Sequence, residues 1–443
     1  MAKVTIITLG CSKNEVDSEY MLGVLEQSGH ELVAGDDEAE VVIINTCSFI
    51  TAAKREALAT ILEVGKGQEG SRPYIIVAGC LAQQHYRELF EELPEVGAFI
   101  GPGAIPRLPQ IVDRVLRGER LADVPSPLEE NLKGLPRVLL EWGPTAYLKI
   151  AEGCNNGCTY CTIPQIKGPY RSRPQEEVLA EAKFLISRGV RELVLVAQDT
   201  TAYGRDLYGR YALTDLLQAL ARLPEIRWIR LLYAHPLRIS PELVEVMAGE
   251  EKICSYLDLP LQHAHPEVLQ AMGRGHTREQ AVKTIARLRS NLPDLALRST
   301  FMVGFPGEKE RHFRELLHFL EEVRFDWVGA FVFSPEEGTP AAAMPGQVAE
   351  NIKQRRHERL LRLQEGITWE KNLAWVGREV EVLVEKRVGS EPGQDLFVGR
   401  SFRQAPEVDG VIYIKGSCRP GQMARVKLTE VQDVYDLVGE VLS

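Results

Sequence analysis

The chain is defined first by what it lacks. No apolar run approaches the roughly 18 residues of a membrane-spanning helix, so such a span is excluded. No block of the sequence is basic. The net charge of −10 is distributed as −8 over residues 1–125, zero over 126–375 and −2 over 376–443. A surface built to track phosphates carries clustered Lys and Arg, and a nucleic-acid substrate is therefore not expected. Low-complexity segments are absent. The opening MAKVTIITLG has no basic stretch leading to a small-residue cleavage site, so secretion is not expected and a cytoplasmic location is. What remains is ordinary globular composition: 443 residues, 44% hydrophobic and 26% charged. That length suits about three domains.

Hydropathy patterning divides the chain accordingly. The β-branched runs VTIIT (4–8), VVIIN (41–45) and YIIVA (74–78) alternate with helical periodicities at 18–29 and 54–65. Strand–helix alternation predicts a parallel α/β domain over residues 1–120. Residues 118–145 are richer in Pro, Gly and charge and read as a connector. A second alternation starts at Tyr147, with candidate strands at 147–152, 192–198, 228–233, 256–262, 297–305 and 327–333. Helices are predicted between them, at 176–189 and 278–290 for example, and a polar helix follows at 348–372. Six β/α units are too few for an eight-stranded barrel, so an open, partial (β/α)6 TIM-like barrel is expected over 140–372. Short runs at 380–386, 396–402, 410–416 and 423–428 predict a small all-β barrel, OB-like or SH3-like, over 373–443.

There are eight cysteines. In a chain of this kind they suit metal binding or catalysis better than disulfides. Cys154, Cys158 and Cys161 form a C-x3-C-x2-C motif directly after the strand at 147–152, on a β→α loop where barrel folds place chemistry. Zinc would need a fourth ligand, and the closest histidines in sequence are His85 and His235. Three thiolates on a [4Fe–4S] cluster leave one iron open to a substrate. A three-thiolate zinc site or three unrelated thiols is the plainer alternative. Cys11, Cys47 and Cys80 have no shared spacing but alike contexts: TIITLGC, VIINTC and IIVAGC. Each lies two or three residues past a hydrophobic strand, and in a parallel sheet such positions share one edge. A second cluster competes here with three buried, inert thiols. Cys254 and Cys418 lack either context and are read as non-ligands.

The motif CNNGCTYC, with Tyr160 before its last cysteine, resembles the radical S-adenosylmethionine superfamily. That resemblance implies a [4Fe–4S] cluster whose open iron holds S-adenosylmethionine and cleaves it to a 5′-deoxyadenosyl radical. It also points to Gln198 and Arg298 as S-adenosylmethionine contacts, beside Asp199 and Glu308. For each, an ordinary strand-end polar residue is the alternative. The order of the three domains, over essentially the full chain, resembles the methylthiotransferase family, whose last domain is TRAM. Membership implies two [4Fe–4S] clusters, S-adenosylmethionine as both methyl donor and radical source, and an external electron donor and sulfur source.

The words LGCSKNEVDSE (9–19), IAEGCNNGCTYCTIP (150–164), DLPLQHAHPEVLQAMGR (258–274) and SPEEGTPA (334–341) are similar to the branch that modifies an aspartate of ribosomal protein S12. The branch that modifies tRNA adenosine tends to read GCQMN at the first of these and Gln-Ser at Gln262-His263, and is the alternative. Glu430, Asp433, Asp436 and Glu440 make the tail acidic, which suits docking on a basic protein. Arg171 and Arg173 are candidates to meet a carboxylate, or to form structural salt bridges.

Overall fold

The structure, a computed structural model, describes residues 1–66, 73–129, 132–391 and 394–442. The N-terminal region runs β1 (Lys3–Thr8), α1 (Ser12–Gln27), β2 (Glu31–Leu32), β3 (Val41–Thr46), α2 (Thr51–Lys66), β4 (Tyr74–Gly79), α3 (Cys80–Glu92), β5 (Val96–Ile100), α4 (Leu108–Leu116) and β6 (Leu121–Asp123). Its strands form one parallel sheet in the order β2-β1-β3-β4-β5-β6. β3 is buried along its whole length, as expected of a strand covered on both faces. β1 pairs with β3 as far as Thr8↔Asn45, and β3 with β4 as far as Thr46↔Gly79. The three cysteine-bearing segments therefore leave the sheet at one edge.

Three strands are predicted in this region and six are present. The stretch 118–145 is not a plain connector, because β6 joins the sheet from within it. Arg137 from the same stretch is buried against Glu19 and Glu181. Its residues 130 and 131 lie outside the described residues.

The central region runs β7 (Thr145–Lys149), β8 (Ala151–Glu152), α5 (Ile163–Lys167), β9 (Arg171–Ser172), α6 (Gln175–Ser187), β10 (Glu192–Val196), α7 (Arg205–Tyr208), α8 (Leu213–Ala221), β11 (Trp228–Leu231), α9 (Pro241–Gly249), β12 (Ile253–Asp258), α10 (Pro266–Ala271), α11 (Arg278–Asn291), β13 (Ala296–Val303), α12 (Glu310–Val323), β14 (Trp327–Val332) and α13 (Glu350–Leu373). Six parallel strands lie in the order β14-β13-β12-β11-β10-β7, and β8 and β9 form a separate antiparallel pair. This is the expected open, partial barrel. β12 starts and ends earlier than the run 256–262 suggests. Pro260 has no N–H for a ladder, and Gln262 takes a positive φ of 71°.

The C-terminal region is a closed barrel of β15 (Glu379–Glu391), β16 (Gln394–Arg400), β17 (Ile412–Lys415), β18 (Met423–Val431) and β19 (Leu437–Val441), in the order β15-β16-β17-β19-β18. Four strands are predicted; the fifth, β19, is short and interrupted by Gly439. Segment 400–409 of this region packs against the floor of the central barrel. Glu192, at the start of β10, accepts from Arg230 Nε at 2.7 Å and Arg400 Nη2 at 2.7 Å. Trp327 Nε1 donates to the Arg403 carbonyl at 2.6 Å, and Tyr256 Oη to Asp409 at 2.7 Å. Among the described residues, no helix is long and apolar enough to cross a membrane.

Candidate active site

Cys11 caps the N-terminus of α1, Cys47 follows β3 directly, and Cys80 is the first residue of α3. Cys11 and Cys80 sit at helix N-termini, where the dipole favours an anion, and Cys47 has the Phe49 N–H. Asparagines knit the loops together. Asn14 Nδ2 donates to the carbonyls of Leu9 at 2.8 Å and Thr46 at 3.1 Å. Asn45 Nδ2 donates to the Asn14 carbonyl at 2.8 Å. Gly10, at φ +106°, is required for a close approach, since a Cβ there would lie 2.7 Å from Cys47 Cβ. Burial pushes the Cys80 thiol well up; Lys167 pulls it down, while Cys47 and Cys11 add to the rise. Cys47 is raised mainly by burial, with a contribution from Cys11. The three thiols are thus electrostatic neighbours.

The second set lies on the loop between β8 and α5. The Cys161 N–H donates to the Cys158 carbonyl at 3.1 Å, and the Thr159 N–H to the Met272 carbonyl at 3.0 Å. Thr159 Oγ1 donates to the Ala271 carbonyl at 2.8 Å, stapling the loop to the end of α10. Arg274 Nη1 donates to Cys158 Sγ at 3.5 Å. Asn156 Nδ2 donates to Asp199 at 2.9 Å, and Arg238 Nη2 to Asn156 Oδ1 at 2.8 Å. The Cys161 thiol is pushed up to about 12, first by burial and further by Cys158 and Cys154. All eight cysteines are free thiols.

A buried layer of charge joins the two sets. Asp17 on α1 is ion-paired with Lys149 and, at 3.2 Å, with Lys167. Glu152, two residues before Cys154, pairs with Lys149 at 2.5 Å and Lys167 at 3.6 Å. Burial alone would raise the Glu152 carboxyl, but these lysines hold it well below the usual range. The Lys13 ammonium, also from α1, lies 3.6 Å from the centroid of the Tyr233 ring beyond β11.

Gln198 is brought to this layer. Its Nε2 donates to Glu152 at 3.3 Å, and its buried Oε1 has no hydrogen-bond partner among the described residues. Arg298 is not. Its guanidinium donates to Asp409 at 2.9 Å and lies 3.7 Å from Asp258, toward the barrel floor. Arg173 pairs with Glu181 at 2.6 Å, the structural alternative. Cys254 is buried within β12, and Cys418 packs against the C-terminal core. Lys13, Asn14, Asp17, Glu152 and Arg274 are absent from the sequence-derived candidates. The available signal was polar residues on an almost wholly buried α1, which only the fold reveals.

Comparison with known proteins accords with this layout. The Radical SAM superfamily matches residues 148–320, the Uncharacterized protein family UPF0004 matches 3–101, and the TRAM domain matches 376–442. Ribosomal protein uS12 methylthiotransferase RimO of Moorella thermoacetica is 59% identical over 443 residues, covering 100% of both chains. The protein of the same name from Geobacter sulfurreducens is 46% identical, covering 100% of this chain and 99% of that one. The chain belongs to the uS12 methylthiotransferase family. It is a radical S-adenosylmethionine methylthiotransferase, and the superfamily implies a [4Fe–4S] cluster and S-adenosylmethionine. In fold it is similar to the radical S-adenosylmethionine methyltransferase TsrM from Kitasatospora setae, with a TM-score of 0.54 at 13% identity over 77% of this chain and 74% of that one. The cobalamin-dependent S-adenosylmethionine radical enzyme OxsB gives a TM-score of 0.53 at 13% identity, over 84% of this chain and 56% of that one.

Proposed function

We propose that this enzyme inserts a methylthio group at the β-carbon of an aspartate of ribosomal protein S12, using two [4Fe–4S] clusters. One is assigned to Cys11, Cys47 and Cys80, the other to Cys154, Cys158 and Cys161. The observation that carries this reading is the meeting of two three-thiol loops across one buried, ion-paired layer. Within each set the thiols act on one another: Cys47 and Cys11 add to the rise of Cys80, and Cys158 and Cys154 to that of Cys161. When bound, the two centres and S-adenosylmethionine would supply the carbon radical that removes an unactivated hydrogen and the sulfur that replaces it.

The chain's own groups do the positioning. Arg274 donates to Cys158 Sγ and offsets its charge. Gln198 offers a free carbonyl oxygen beside Glu152 to an ammonium or hydroxyl donor of S-adenosylmethionine. The Asp17–Lys149–Glu152–Lys167 ion pairs hold the N-terminal loops against the barrel mouth. The acidic N-terminal domain suits docking on a basic ribosomal protein. The electron donor and sulfur source are external partners, and the cytoplasm, where S12 is made, is the site of action.

The test is anaerobic reconstitution followed by incubation with an S12 peptide, S-adenosylmethionine, sulfide and a reductant. About eight irons per chain and a mass gain of one sulfur and one methylene on the aspartate are expected. Half that iron, or an unmodified peptide, rejects the reading.

A further inference from the structure

We propose that Lys13 recognises the carboxylate of the substrate aspartate, and so sets both the specificity and the position of the reacting carbon. The proposal rests on the S12 reading above. Lys13 belongs to the first turn of α1, two residues past Cys11, yet its ammonium reaches the Tyr233 ring of the central barrel. It therefore bridges the Cys11 loop and the chain just past β11 of the central barrel. It is only 9% exposed. A buried ammonium is costly to desolvate; the Tyr233 ring, Cys11 and Glu152 favour its charge, but none of them closes an ion pair with it.

Every other cation of the layer has an anion or sulfur. Lys149 and Lys167 share Asp17 and Glu152, and Arg274 has Cys158. Among the described residues, no carboxylate forms an ion pair with Lys13. Its platform is held under strain: Tyr233 adopts φ +59°, with its N–H donating to Asp258 Oδ2 at 3.0 Å. Such strain persists where the surroundings impose it, commonly at ligand sites.

The chemistry makes a carboxylate the fitting occupant. The carbon to be modified is bonded directly to the carboxylate carbon, so a group that clamps the carboxylate also restricts where that carbon lies. An ammonium has three donors, and one side against Tyr233 leaves others for the substrate oxygens.

The competing role for Lys13 is neutralisation of Cys11, and peptide binding separates the two. Anaerobically reconstituted protein, without reductant, is titrated into a fluorescent S12-loop peptide carrying the target Asp, and into the same peptide with Asn. The expected result is a preference for the Asp peptide of about tenfold or more, abolished in Lys13→Met and retained in Lys13→Arg. Lys13→Met that keeps the preference, weakens both peptides equally, or loses iron overturns the proposal. If wild-type protein modifies the Asp peptide but binds the two alike, Lys13 alone is misassigned. If it neither binds nor modifies either, the S12 reading fails and the proposal with it.

Discussion

Cys158 and Arg274 illustrate what single residues do here. Arg274 is nearly buried, donates to Cys158 Sγ at 3.5 Å, and has its Nη2 on the Pro260 carbonyl. Lysine reproduces the charge but not the two-point geometry. Arg274→Lys is expected to shift the potential of the centre on this loop to more negative values and to slow 5′-deoxyadenosine formation about 10–100-fold, the usual cost of losing an outer-shell partner. Protein-film voltammetry and product assay check it. The two thiol sets separate in the same way. Cys47→Ala is expected to keep about half the iron and still yield 5′-deoxyadenosine, while failing to modify S12. Cys161→Ala is expected to lose 5′-deoxyadenosine as well. Iron assay, chromatography and peptide mass spectrometry read all three. His265 gives a plainer lesson. Its Nδ1 accepts the Glu267 N–H at the start of α10, the capping work usually done by a serine hydroxyl, so its role is structural.

Among elements, the turn from β4 into α3 is the most constrained. Gly79 has φ +92°, and a Cβ there would lie 2.3 Å from Asn45 Oδ1 and 2.7 Å from the Thr46 carbonyl. Gly79→Ala is expected to cost about 1–3 kcal/mol in chemical denaturation and to displace Cys80, lowering iron content. Strands with β-branched runs were legible: β1, β3 and β4 fall where VTIIT, VVIIN and YIIVA place them. β2, β5, β6 and β19 were not. β2 and β6 have 2 and 3 residues, too short for any periodicity, while β5 is VGAFI and β19 is LVGEV, each broken by a glycine. Such segments become strands because a neighbouring edge is there to pair with. β12 was misplaced because LPLQ reads as apolar strand, while Pro260 and the φ of Gln262 take the chain out of the ladder.

At the scale of the whole molecule, Glu192 joins the barrel floor to the C-terminal domain. Burial alone would raise its carboxyl, but Arg400 and Arg230 hold it at about 2, against an ordinary 4.5. A carboxyl depressed in the folded state contributes stability that is present above the unfolded value and lost as pH falls toward the folded one. Glu192→Gln is therefore expected to destabilise by about 3–5 kcal/mol at neutral pH, because two buried guanidinium groups lose their anion. The gap from wild type is expected to shrink as pH drops from 4.5 toward 2. Urea unfolding across that range measures it.

The sequence alone determined the three-part architecture and the six thiols of interest, because both are carried by local pattern. Periodicity is a property of neighbouring residues. C-x3-C-x2-C lies within eight positions, and equivalent strand ends reveal Cys11, Cys47 and Cys80 once a parallel sheet is assumed. The tertiary structure alone decided which polar side chains meet. Arg298 stands just before TFMVGFPGE, but near the start of β13, so it faces the floor and Asp409 rather than the cysteine loop. Lys13 meets Tyr233, and Asp17 meets Lys149 and Lys167, across more than a hundred residues of chain. Those encounters are set by how whole sheets pack, and no local pattern records them.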